Sequence, residues 1–94
     1  MVKYSVMKLI IAILRDEDSD PISKILVEQE FRVTQVASTG GFLRRGSSTL
    51  MVGVDDDKVD NAIEIIRTNI SGTDEPGLRR ATLFVLKVDR FVQI

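Results

Sequence analysis

The stretch FRVTQVASTGGFLRRGSSTLMVGV, residues 31–54, sets two strand patterns around one glycine-punctuated loop, and the reading of the whole chain follows from it. In residues 31–37, Phe31, Val33, Gln35 and Ala37 alternate with Arg32, Thr34 and Val36. That period of two belongs to a strand with unlike faces, so Arg32 and Thr34 point the same way. Residues 38–46 contain Gly40, Gly41 and Gly46 and read as a loop; residues 47–54 resume strand character until Asp55, Asp56 and Asp57 stop it.

Working outward, residues 8–14 hold Leu9, Ile10, Ile11, Ala12 and Ile13 in sequence, an unbroken apolar run that is the pattern of a central strand covered on both faces. The run is far shorter than the roughly 20 residues a membrane-spanning helix needs, and acidic residues close it. Asp20 followed by Pro21 suits an N-cap and first helical position, with Ile22, Ile25 and Leu26 on one side of a helix reaching about Gln29. On the other flank, Val59, Ala62, Ile63, Ile66 and Ile70 recur at helical spacing from Lys58 onward, with Asp55 or Asp56 expected to cap that helix. Residues 71–77 are a polar linker, residues 81–88 a final strand, and residues 91–94 a short tail. The order β-α-β-β-α-β predicts an α+β, ferredoxin-like unit: a four-stranded antiparallel sheet with both helices on one face and the other face open to a partner.

Ninety-four residues suffice for a single domain, residues 1–94, with one modest core. Residues 1–6 read as an N-terminal extension with no assigned role. Without cysteine there is no disulfide to add stability, so oligomerisation is an expected source of buried area. The absence of cysteine and of a visible signal peptide makes the cytoplasm the expected location. Thirteen basic against 14 acidic side chains give a net charge of −1, which provides no general attraction to nucleic acid or to an anionic membrane.

The loop is the candidate site. Its glycines let backbone N–H groups approach an anion, Thr39, Ser47, Ser48 and Thr49 add hydroxyl donors, and Arg32, Arg44 and Arg45 add positive charge. Phe42 stands among polar neighbours, where an aromatic ring beside phosphate-binding groups stacks on a base. The bland alternative is a hairpin loop whose glycines only permit the turn and whose Phe42 packs beneath it. Residues 41–48 have the glycine spacing of a P-loop, but Ser47 stands where lysine is required and a strand follows instead of a helix. The acidic clusters at residues 16–20 and 55–57 are read as helix-capping groups before they are read as cation ligands. With no His and no Cys, the commonest general base and any thiol nucleophile are missing, so the chain is not expected to be an enzyme or to carry a resident cofactor. Arg79 and Arg80, at the mouth of the last strand, are candidates for a ligand phosphate or an acidic partner.

The string FRVTQVASTGGFLRRGSST, residues 31–49, resembles the FRxTxxAxTGGFLRxGNTT segment of the PII-like cyclic di-AMP receptor family. The MKLIIAIL opening, the VGVDDDKVDNAIEII stretch and the ATLFVLKVDRF ending are similar to that family in order and spacing, so the likeness runs from Met7 to Phe91. It implies a PII-like homotrimer with three ligand sites between subunits, acting as a sensor that relays cyclic di-AMP to a downstream protein through loop rearrangement. Carried over by position, Arg32 and Thr34 match polar ligand-facing positions, and Gly41, Phe42 and Leu43 match the loop that embraces adenine. Thr39 and Gly40 belong to the same segment, and Ser47 stands at the family's usual asparagine. The segment between Ile70 and Ala81 is shorter than in the family and enters the last strand through Arg79 and Arg80 instead of two glycines. These departures leave room for a rival expectation: a PII-like trimer that binds another nucleotide, or none, and serves as a protein-interaction scaffold.

Overall fold

A computed structural model describes residues 7–36, 46–70 and 81–94. The apolar run becomes β1 (Met7–Arg15), followed by α1 (Asp16–Glu28), β2 (Arg32–Val36), β3 (Ser47–Asp55), a 3-10 turn (Asp56–Lys58), α2 (Val59–Asn69) and β4 (Ala81–Lys87). The strands form one antiparallel sheet in the order β2-β3-β1-β4. This is the ferredoxin-like α+β arrangement that the element order predicts.

One face of the sheet carries the core. Ile10, Ala12 and Leu14 of β1 and Leu50, Val52 and Val54 of β3 are buried with Ile22 and Leu26 of α1 and Ala62 and Ile66 of α2. Each fully buried Leu or Ile contributes about 1.5–3 kcal/mol. β1 is central, as its composition predicts, but among the described residues only one of its faces is covered. Its alternate residues Leu9, Ile11 and Ile13 are half-buried on the face away from the helices.

The start of α1 differs from the Asp20–Pro21 expectation: the helix begins at Asp16 and Pro21 lies inside it. Contacts with the sheet set this earlier start. The Asp16 N–H donates to the Gly46 carbonyl at 2.8 Å, the Ser48 hydroxyl donates to Asp16 Oδ1, and Ser19 Oγ accepts from Gln35 Nε2 at 2.9 Å. Asp18 is buried and lies 3.7 Å from Arg15 Nε. Asp16, Glu17 and Asp18 occupy the first turn, where negative charge suits the helix dipole.

The same helix ends in a two-bond terminal turn. The Glu30 N–H donates to Val27 O at 2.9 Å and the Phe31 N–H to Leu26 O at 3.0 Å, the Schellman pattern, with Glu30 at φ 68°. Phe31 and Leu26 both enter the core, which fixes the angle at which β2 leaves the helix.

The expected carboxylate cap on α2 is absent. Asp55 precedes the 3-10 turn and Lys58 precedes α2 without a side-chain cap bond, and Asp56 instead pairs with Lys8 at 3.6 Å. The 3-10 turn tightens the approach to the helix and takes over the role of a capped first turn.

The second face of the sheet has no layer over it among the described residues. β1 contributes Leu9, Ile11 and Ile13 and β3 contributes Met51, while Val36, Phe84 and Leu86 at the outer strands are 40%, 51% and 46% exposed. No described helix is long and apolar enough to cross a membrane.

Candidate functional site

The alternation read in residues 31–37 holds in the ladder. Arg32 pairs with Gly53, Thr34 with Met51 and Val36 with Thr49, so Arg32 and Thr34 stand side by side on the open face. Val33 and Gln35 turn to the helix side, where Val33 packs against the core and Gln35 reaches Ser19. Arg32 is exposed and takes part in none of the ion pairs found among the described residues.

The chain beyond β4 closes a space over these two residues. The Val88 N–H donates to Met7 O at 3.0 Å, continuing the β1–β4 pairing past the strand end. The residues that follow bring Phe91 and Gln93 to the border of the open face. A cavity of about 460 Å³ results, lined by Arg32, Thr34, Met51 and Gly53 on its sheet side and by Phe91 and Gln93 on its outer side. A second cavity of about 500 Å³ adjoins it, sharing Arg32, Gly53, Phe91 and Gln93 and extending past Glu30 to Asp55 and Lys58.

Gly53 makes the space beside the guanidinium. It stands across from Arg32 in one direction and from Leu9 in the other, and a Cβ placed on it would meet no heavy atom within 4 Å. The floor of the cavity is therefore backbone, open to a flat group laid against it.

The chemistry of this wall is defined by its side chains. A guanidinium offers up to five donors in a planar fork suited to phosphate oxygens. Thr34 adds a hydroxyl that donates or accepts. The Gln93 amide offers a donor and an acceptor together, the pair that one edge of an adenine ring complements. Phe91 is more than half exposed and offers a ring face.

Of the residues singled out in the sequence, the structure brings Arg32 and Thr34 together and sets Ser47 apart. Ser47 begins β3, opposite Arg15 on β1, and six residues of extended strand separate it from Gly53, about 20 Å. It shares their face of the sheet but not their cavity. Thr39, Gly40, Gly41, Phe42, Leu43, Arg44, Arg45, Arg79 and Arg80 lie outside the described residues, as do residues 1–6. Ser48 and Thr49, read as hydroxyl donors of the loop, are both buried; Ser48 spends its proton on Asp16.

Met51, Gly53, Phe91 and Gln93 escaped the sequence reading. Gly53 carried a signal, since a glycine within a strand marks close backbone approach. The tail carried none, because it comes to the cavity that Arg32 lines from the far end of the chain.

Comparison with known proteins agrees with this architecture. The model of a family described as cyclic-di-AMP receptor matches residues 7–76. Among solved structures, a functionally unknown protein from Pediococcus pentosaceus ATCC 25745 superposes with a TM-score of 0.80 at 33% sequence identity, over 97% of this chain and 100% of its own.

Proposed function

Because the chain belongs to the cyclic-di-AMP receptor family, we propose that it is a non-catalytic sensor whose ligand is cyclic di-AMP, held on the open-face wall formed by Arg32 and Thr34. The observation that carries this reading is the cavity itself: an arginine with no ion pair among the described residues, a hydroxyl, a bare glycine floor and an amide, gathered around about 460 Å³. An adenine base laid against the Gly53 backbone meets Met51 and Phe91 with its faces and Gln93 with its edge. The Arg32 guanidinium then takes a phosphate by charge-assisted hydrogen bonds. Thr39, Gly40, Gly41, Phe42, Leu43 and Ser47 grip the second half of the dinucleotide, away from the Gly53 floor, and Arg79 and Arg80 are the cations for the remaining phosphate.

The site lies between subunits in this reading. The open face exposes a continuous apolar surface running from Val36 through Met51 and Ile11 to Phe84 and Leu86, and further copies of the chain cover it in a homotrimer. The cavity opens at the border of that face, so a neighbouring copy supplies its missing wall. Occupancy is relayed through rearrangement of the segment carrying Thr39–Leu43 to a downstream protein, in the cytoplasm.

Calorimetric titration with cyclic di-AMP, with cyclic di-GMP and ATP as controls, tests the proposal alongside the mass in solution. Saturable binding selective for cyclic di-AMP, near one ligand per subunit of a trimer, is the expected result. A folded trimer that takes none of the three would leave a scaffold in place of a receptor.

A further inference from the structure

At one end of the sheet, the turn from α1 into β2 and the turn from β3 into α2 border the same space. The first brings Glu30, Phe31 and Arg32 to the cavity of about 500 Å³, and the second brings Val54, Asp55 and Lys58 to it. Among the described residues the lining carries two cations and two carboxylates, yet neither cation takes part in an ion pair found among those residues. Lys8, Arg15 and Arg67 are by contrast each paired with a carboxylate, and Asp56, close to Lys58 in sequence, is taken by Lys8 at 3.6 Å.

The helix gains nothing from a lysine at position 58. Lys58 is exposed and holds the cap position of α2 without a side-chain cap bond. A side-chain oxygen there would accept a backbone N–H, which an ammonium cannot do. Its positive charge also stands at the helix end that disfavours cations. A residue that breaks the local rule for a helix start, at the wall of a cavity, points to a role outside folding.

We propose that Lys58 is a second cation for the ligand phosphate that Arg32 takes, reaching it from the adjoining cavity. The inference rests on the receptor reading above for its ligand, and on the cavity lining alone for the availability of the two side chains. Arg32 lines both cavities, so a phosphate at its guanidinium lies where they meet, and the flexible lysine stem brings an ammonium to it from the side of α2. The sign of the field matters as much as the contact. Without Lys58 the described lining sets Arg32 against Glu30 and Asp55, a balance that opposes a dianion; with it the two carboxylates are offset.

The test compares Lys58→Ser, which removes the charge and supplies a cap oxygen, with Lys58→Arg, which keeps the charge. Lys24→Gln is the control, since it removes an exposed charge that lines neither cavity. Affinity for cyclic di-AMP is measured by calorimetry at low and moderate salt, with thermal melting of each variant. Expected in Lys58→Ser are a melting temperature equal to or above wild type and binding roughly five- to twentyfold weaker at low salt, the gap narrowing with added salt. Lys58→Arg and Lys24→Gln should stay within about threefold of wild type. Wild-type affinity in Lys58→Ser would overturn the proposal. So would an equal loss in Lys58→Arg, which would deny the charge its role, or in Lys24→Gln, which would trace the effect to overall charge. Should the wild-type protein take no cyclic di-AMP, the receptor reading falls separately, and the two cations are probed with inorganic pyrophosphate through the amide NMR shifts of Arg32 and Gly53. Shifts that saturate in wild type and vanish in Lys58→Ser uphold the anion site; no shift in wild type, or the same shift in the variant, removes it.

Discussion

Arg32 and Gly53 face each other across the β2–β3 ladder, so a guanidinium of the cavity wall stands beside a floor with no side chain. The pairing makes Gly53 a space-maker for whatever Arg32 holds. A Cβ added at Gly53 meets no heavy atom of the described residues within 4 Å, and valine favours extended strands. We expect the melting temperature to hold or rise slightly while cyclic di-AMP affinity falls at least tenfold, read by thermal melting and calorimetry on the same preparation. Retained affinity would move the ligand off this floor.

Removing the cation itself separates charge from shape. Arg32 is exposed and lies outside the hydrophobic core, so Arg32→Ala is expected to change stability by no more than about 0.5 kcal/mol. Loss of a charge-assisted contact to phosphate costs about 1.5–3 kcal/mol of binding. Arg32→Lys keeps the charge but not the planar fork and is expected to fall between the two. Titration of both variants at low and moderate salt checks the assignment, and a lysine variant equal to wild type would argue for a simple charge effect.

The faces of β2 and the centrality of β1 were legible in the sequence because each is written in a local period that burial later enforces. Arg32 and Thr34 could be put on one face from seven residues alone. The start of α1 was not legible in this way. Asp20–Pro21 carries a local start signal, yet Asp16 and Ser19 begin the helix earlier because their partners, Ser48 and Gln35, arrive from strands far along the chain. The cavity was half legible for the same reason: its sheet wall follows from alternation, whereas Phe91 and Gln93 are placed by the Val88–Met7 bond, which no local pattern announces.

Glu30 shows a local rule broken at a helix end. It occupies the left-handed position of the Schellman turn, where glycine is the usual residue, and a side chain there costs about 1 kcal/mol. That glutamate also concealed the turn from sequence reading. Glu30→Gly is expected to raise stability by about 0.5–1 kcal/mol, measured by urea unfolding with an unchanged slope. A loss of stability instead would mean that Glu30 makes a contact worth more than its backbone strain.

The open face supplies the last prediction. Phe84 pairs with Ile11 in the β1–β4 ladder and is 51% exposed, so its ring projects from the sheet on the side away from the helices and contributes little to the core of one subunit. If three copies bury this face, a charge there is desolvated at every interface without partner, a cost of several kcal/mol per site. Phe84→Glu is therefore expected to leave the far-ultraviolet circular dichroism of the fold intact while the solution mass falls to that of one chain. Cyclic di-AMP affinity should fall with it, because the cavity loses the wall a neighbouring copy supplies. A variant that becomes monomeric yet binds as tightly as wild type would place the whole site within one subunit. A variant that keeps its trimeric mass would put the subunit contact on another surface.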